Sequence, residues 1–203
     1  MTGDLTPAAS TIELAGTVVD VAIATLAANG GVDANQVIAY DLAHAAAVVE
    51  TGRALLDYGG KGDEEGAITC AYIADAVADL TGKLYGREAD WGVEPGALDA
   101  TRQFVAAHRD PAFLAALAEG PGPLHLDEEF ELVRDTFRRF AEDKIRPVAE
   151  HVHRTNGDVP EEIIQGIAEL GGFGLSVPAE YGGFAEGGES DYLAMVVATE
   201  ELS

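Results

Sequence analysis

The sequence predicts an all-α protein, a helical hairpin or bundle followed by a second helical domain, with no convincing strand and no internal repeat. Three observations carry that prediction. Apolar residues make up 47% of the chain, Ala supplies much of that share, and aromatics are only 7%, which suits closely packed helices better than a β-sandwich. The long segments repeat their apolar residues with helical period. Gly- and Pro-rich breaks separate them. At 203 residues the chain is long enough to bury a core in one or two domains.

The first helix is expected over residues 12–26. Glu13, Gly16, Thr17 and Asp20 line a polar strip, and Leu14, Val18, Val19, Ala22, Ile23 and Leu26 cover most of the rest. Asn29-Gly30-Gly31 should stop it, because Asn and Gly accept a left-handed cap, and Asp33 or Asn35 can cap the next helix. That second helix carries two apolar stripes. Val37, Tyr40, His44, Val48, Thr51 and Leu55 form one, and Ile38, Leu42, Ala45, Val49 and Leu56 the other. Glu50, Arg53 and Asp57 are left for solvent, and His44 is expected as a hydrogen-bonded core residue. After Gly59-Gly60, Asp63 can open a third helix through Leu84, with Ile73, Val77, Leu80 and Leu84 inside and Asp79 pairing Lys83 at i,i+4. Long helices joined by a short Gly-rich link predict an antiparallel hairpin.

Residues 86–96, with Trp91, Gly92 and Pro95, should be irregular, and two shorter helices are expected near 97–107 and 111–118. Gly120-Pro-Gly-Pro123 is the sharpest break and sets the predicted boundary, 1–122 against 123–203. Beyond it, residues 127–144 put Phe130, Val133, Phe137, Phe140 and Ala141 on one face, until Pro147 kinks or restarts the helix. Asp158-Val-Pro-Glu161 reads as a capped helix start, with Ile163, Ile164, Ile167 and Leu170 facing a core and Gly171-Gly172 as the stop. A last helix is expected over 191–202.

Thirty-six acidic residues against twelve basic ones leave a formal charge of −24. So acidic a surface repels phosphate backbones and anionic lipid heads, which argues against nucleic-acid and membrane partners. The lone Cys70 excludes an internal disulfide and any multi-cysteine metal site, and it reads as a small buried residue. The start of the chain lacks a signal peptide's basic region, and the apolar run 14–28 reads as too short to span a bilayer and carries Asp20, so a cytoplasmic location is expected. His151 and His153 have the wrong spacing for two ligands on one helical face, and no metal site is expected. The Gly-rich runs 171–174 and 182–188 follow no strand and fail the dinucleotide-binding pattern, so they read as turns.

From Leu126 to Ser203 an ordered set of motifs appears. An amphipathic helix runs into Ile145-Arg146-Pro147 and on through Glu150. Pro160-Glu-Glu-Ile-Ile leads to Ile167-Ala-Glu-Leu-Gly171, then Gly174-Leu-Ser-Val-Pro178, then Pro178-Ala-Glu-Tyr-Gly-Gly183, and last Thr199-Glu-Glu-Leu-Ser203. In order and spacing this run resembles the N-terminal helical domain of the acyl-CoA dehydrogenases. The preceding part, through residues 36–43, 55–59 and 86–95, is similar to the 2-methylsuccinyl-CoA dehydrogenase branch of that family.

The resemblance implies an FAD-dependent α,β-dehydrogenation of an acyl-CoA thioester, with electron-transfer flavoprotein as electron acceptor and a homo-oligomer when intact. It also implies that the flavin-holding β-domain and the catalytic Glu of the C-terminal bundle lie outside these residues. No catalytic, cofactor-binding or metal residue is therefore assigned, and no flavin is expected on this chain alone. The Gln-x-x-Gly-Gly turn that touches the flavin in the family has no counterpart near Tyr85-Gly86. Glu200 and Glu201 sit in the last helical turn, where the macrodipole disfavours acids, so the end reads as cut. A second reading is a non-catalytic helical interaction module or one half of a split enzyme.

Overall fold

The computed structural model describes residues 5–118 and 122–203, and among these every regular element is helical, as expected. The chain divides into two compact units, Met1–Pro123 and Leu124–Ser203. Gly120 and Pro121 of the predicted joint lie outside the described residues.

In the first unit, α1 (Thr6–Ala28), α3 (Gln36–Gly59) and α4 (Asp63–Leu84) pack on one another. A single helical turn, α2 (Gly31–Ala34), links the first two. Gly30 and Gly31 take φ of 96° and 71°, conformations that bring the chain back on itself without a side-chain penalty. Asn35 precedes α3 but does not cap it; its amide donates instead to the carbonyls of Asn29 and Gly31. A 3-10 turn (Asp99–Thr101), α5 (Arg102–His108) and α6 (Pro111–Leu117) close over α4, with Asp110 capping α6. The core is Ile12, Ile73, Val77 and Trp91, all essentially inaccessible, surrounded by Ala, Val and Leu. Cys70 is buried among them, and burial pushes its thiol pKa up.

Several expectations about this unit are corrected. Helix α1 begins six residues earlier than the pattern suggested, and at 23 residues it is long and apolar enough to cross a membrane by length and composition. Ala8, Ile12, Ala15, Val19 and Ala22 on one of its faces are buried in the unit's core. Gly16 is buried, not part of an exposed polar strip, because a Cβ there would meet the guanidinium of Arg53. Arg53 itself is half-buried, held at 2.9 Å by Glu13 and 2.5 Å by Glu50. On α3 only one stripe faces inward. Leu42, Ala45, Val49 and Gly52 are buried, while Val37 and Tyr40 are 72% and 68% exposed. His44 is exposed too, edge-on to the Tyr40 ring at 4.6 Å, because α1 and α4 cover only the opposite arc of α3.

In the second unit, α7 (Glu128–Phe140) starts at Asp127, whose carboxylate accepts the Phe130 amide at 3.1 Å. One π turn, Ala141–Ile145, then shifts the phase before α8 (Arg146–Thr155) restarts with Pro147 in its first turn. Helix α9 (Glu161–Glu169) is preceded by Pro160 with no side-chain cap, so Asp158 does not cap it as expected. Ile163 is buried but Ile164 is 41% exposed. Helix α10 (Glu189–Leu202) lies along α7, and Val197 and Ala198 point inward. Glu201 has a structural partner. Arg138 grips both its oxygens at 2.8 Å, and the carboxylate is only 11% exposed, which outweighs the unfavourable helix end.

Candidate functional site

Among the described residues of the second unit, the most elaborate backbone geometry lies in the run from Gly171 to Gly188, between α9 and α10. Gly171 ends α9 at φ 78° and Gly182 turns the chain at φ 85°. At Gly183 a Cβ would stand 1.9 Å from the Val177 carbonyl oxygen, so only glycine fits. That close approach lets residues 174–178 and 183–185 run side by side. The Phe184 amide donates to the Gly174 carbonyl and the Ala185 amide to Val177, each at 3.0 Å. Pro178 and Ala185 form an isolated parallel bridge. The sequence reading of these Gly runs as turns holds among the described residues.

Asp191, in the first turn of α10, ties the loop down. One carboxylate oxygen accepts the amides of Glu186 at 2.8 Å, Gly187 at 2.7 Å and Gly188 at 3.1 Å. Between loop and helix lies a cleft of about 330 Å³ lined by Ser176, Pro178, Ala185, Glu186, Tyr192 and Met195. On the other side of Tyr192, Phe130, Leu193 and Val196 line a shallower hollow of about 470 Å³. Tyr192 is thus a shared wall, 68% exposed. Its period along α10 gave no hint of the cleft; only the two Gly-Gly pairs marked it in the sequence.

The arrangement suits an apolar group more than an anion. The three clustered amides, which could otherwise take a phosphate, are occupied by the Asp191 carboxylate. Four arginines of this unit are engaged as well. Arg134 pairs with Glu131 at 2.6 Å, Arg146 with Glu142 at 2.7 Å and Arg154 with Glu150 at 2.7 Å. The hydrogen bonds that Arg138 donates to Glu201 raise its pKa further. In the first unit, Arg87 is bound to Asp41 at 2.8 Å, Arg109 to Asp75 at 2.8 Å, and Lys83 to Asp79. The cleft, which carries Glu186 and Asp191 and no cation in its lining, therefore does not fit the pyrophosphate of a dinucleotide cofactor. Among them no cluster of three or more His, Cys, Asp or Glu side chains could hold a metal ion, and His151 and His153 are exposed.

Residues 127–203 match the family described as acyl-CoA dehydrogenase, N-terminal domain, and the second unit has that domain's all-α fold. Over 193 residues the chain is 33% identical to (2S)-methylsuccinyl-CoA dehydrogenase of Cereibacter sphaeroides, a match that covers 83% of this chain and 34% of that protein. So broad a match reaches back from the second unit into the first. Over 76 residues it is 41% identical to 3-(aryl)acrylate reductase of Clostridium sporogenes, covering 37% of this chain and 19% of that one. Over 79 residues it is 35% identical to glutaryl-CoA dehydrogenase of Desulfococcus multivorans, covering 39% and 20% respectively. The chain thus spans about a third of the first relative's length and about a fifth of the others'. No solved structure matches it.

Proposed function

We propose, because residues 127–203 match the acyl-CoA dehydrogenase N-terminal domain family, that the chain is the N-terminal portion of an FAD-dependent, cytoplasmic acyl-CoA dehydrogenase acting on 2-methylsuccinyl-CoA. The observation that supports the substrate type is that the likeness to (2S)-methylsuccinyl-CoA dehydrogenase extends through most of the chain, whereas the other two likenesses cover less than two fifths of it. In such an enzyme FAD would be held by other parts of the protein and would supply a hydride acceptor. This chain's residues supply none of the groups that hold the flavin or remove the α-proton. Their part is a helical wall, α7 and α10 locked by Arg138 and Glu201, and a loop shaped by Asp191, against which the rest of the enzyme packs. Electron-transfer flavoprotein is the expected acceptor of the electrons.

The test is complementation. The chain is mixed with the remainder of the Cereibacter sphaeroides enzyme and FAD, and 2-methylsuccinyl-CoA oxidation is followed with an artificial electron acceptor. We expect turnover and a stable flavin band only in the mixture. Flavin binding by the chain alone, or a mixture that forms a complex yet shows no turnover, would overturn the assignment. A second reading, a non-catalytic helical interaction module, is favoured by the cleft beside Tyr192, whose lining offers no cation to a CoA phosphate. It predicts a complex without turnover.

A further inference from the structure

The cleft between the Gly-rich loop and α10 joins an apolar lining to charged groups of one sign. At about 330 Å³ it falls within the size range of small-molecule sites. Pro178, Tyr192 and Met195 supply apolar and aromatic lining, and Tyr192 is largely exposed. Glu186 lines it too, and among the described residues the Glu186 carboxylate has no hydrogen-bond or ion-pair partner. Asp191 gives one oxygen to the amides of Glu186, Gly187 and Gly188, and its other oxygen accepts no bond among the described residues. Ser176 adds a hydroxyl, and no Lys, Arg or His belongs to the lining.

We propose that this cleft binds a small organic cation, a primary ammonium group carried on a short apolar stem. Charge selects the head group. The Glu186 carboxylate and the free oxygen of Asp191 attract a cation and repel an anion, and no cation in the lining answers them. An ammonium group has three N–H donors and no acceptor, which suits two carboxylates and the Ser176 hydroxyl. The walls select the stem. An aromatic face attracts a cation and packs against hydrocarbon, and the Met195 thioether adapts to the shape it meets. Three amides bound to Asp191 hold the loop in place beforehand, so binding orders little of the chain. The net charge of −24 draws cations to the whole surface, and the cleft adds the apolar lining that a simple acidic patch lacks. The inference concerns this cleft alone and stands or falls separately from the enzymatic reading.

Titration of the full chain with 2-phenylethylamine at neutral pH, followed by amide NMR shifts, tests it. Shifts should concentrate at Glu186, Gly187, Gly188, Asp191 and Tyr192 and saturate with a Kd of about 1–10 mM, as expected for so small a ligand. The neutral analogue 2-phenylethanol should bind about fivefold or more weakly, and the anion phenylacetate should leave these amides unmoved. Glu186→Gln should weaken the amine by about fivefold or more and leave 2-phenylethanol unchanged. Its side chain holds no partner, so the fold should survive, and circular dichroism checks that. Glu162→Gln, which removes the same charge from exposed α9, should leave amine binding as it was. Shifts that never saturate or scatter over the acidic surface would overturn the proposal. So would equal binding of amine and alcohol, or a loss at Glu162→Gln as large as that at Glu186→Gln.

Discussion

The two units bury their apolar residues to different degrees. The first surrounds Ile12, Ile73, Val77 and Trp91, each at 0–1% exposure, with a continuous cluster. The second buries Phe137, Ile163, Val197 and Ala198, none of them completely, and leaves Phe173, Tyr181, Phe184, Tyr192 and Val196 more than half exposed. The cause lies in the elements. Helices of 23, 24 and 22 residues present several turns of apolar face to one another in the first unit. The second has helices of 14 residues or fewer and a long Gly-rich connection. Long mutual faces complete a core from local chain; short helices on a looped frame complete one only against something else.

Core truncation should show the largest effects and test that contrast directly. Ile73→Ala is expected to cost the first unit about 4 kcal/mol, and Ile163→Ala to cost the second only about 2 kcal/mol, because its surroundings can relax. Urea titrations measure both. Trp91 is the sole tryptophan and is buried in the first unit, so its fluorescence reports that unit while circular dichroism reports both. In the unaltered chain, ellipticity should begin to fall at lower urea than the fluorescence does. Coincident curves, or equal costs for the two truncations, would erase the distinction.

Next in size is the loop tether. Asp191→Ala leaves three amides without their shared acceptor, at a cost of about 1–2 kcal/mol in partly wet surroundings. Hydrogen exchange at Glu186, Gly187 and Gly188 should accelerate while the amides of α4 do not change. Protection that survives the substitution would mean that backbone contacts alone hold the loop.

Thiol reactivity sharpens the other side of the comparison. Cys70 is buried and its thiol is pushed toward the protonated form, so a disulfide reagent should label it only as fast as the first unit opens. Labelling that keeps pace with the earlier ellipticity loss would show that the first unit is the looser one.

The smallest effect is acid sensitivity at Glu13. The hydrogen bonds it accepts from Arg53 lower its pKa below the ordinary 4.5. A depressed folded pKa adds stability that is present above the unfolded value and is lost as pH falls through the folded one. As pH falls through and below the ordinary carboxylate range the first unit should therefore weaken, and Glu13→Gln should flatten that limb. Because the pair is exposed, the change is slight.

Helix existence was legible because it depends on period and punctuation that each segment carries by itself. Ile73, Val77, Leu80 and Leu84 read as a core face and are one. Asn29-Gly30-Gly31 and Gly171 read as stops, and Gly30, Gly31 and Gly171 turn the chain with positive φ. The choice between the two stripes of α3 was not legible. Both are apolar, and only the positions of α1 and α4 make Leu42 and Val49 core while Tyr40 and His44 stay outside. The loop cleft at Tyr192 was equally hidden, since it needs residues 176 and 186 brought against one helical turn.

Composition, helical period and glycine placement are local properties, and they were enough to establish an all-α chain and its acidic surface, while the ordered motifs from Leu126 to Ser203 carried the resemblance to a family of dehydrogenases. Partnership is not local. Arg53 reaching Glu13 across 40 residues, Arg138 gripping Glu201 across 63, and Trp91 folding into the core from an irregular stretch all depend on which surfaces meet in space. Packing settled those, because a side chain's burial and charge partners are set by its neighbours in three dimensions and not by its own period along the chain.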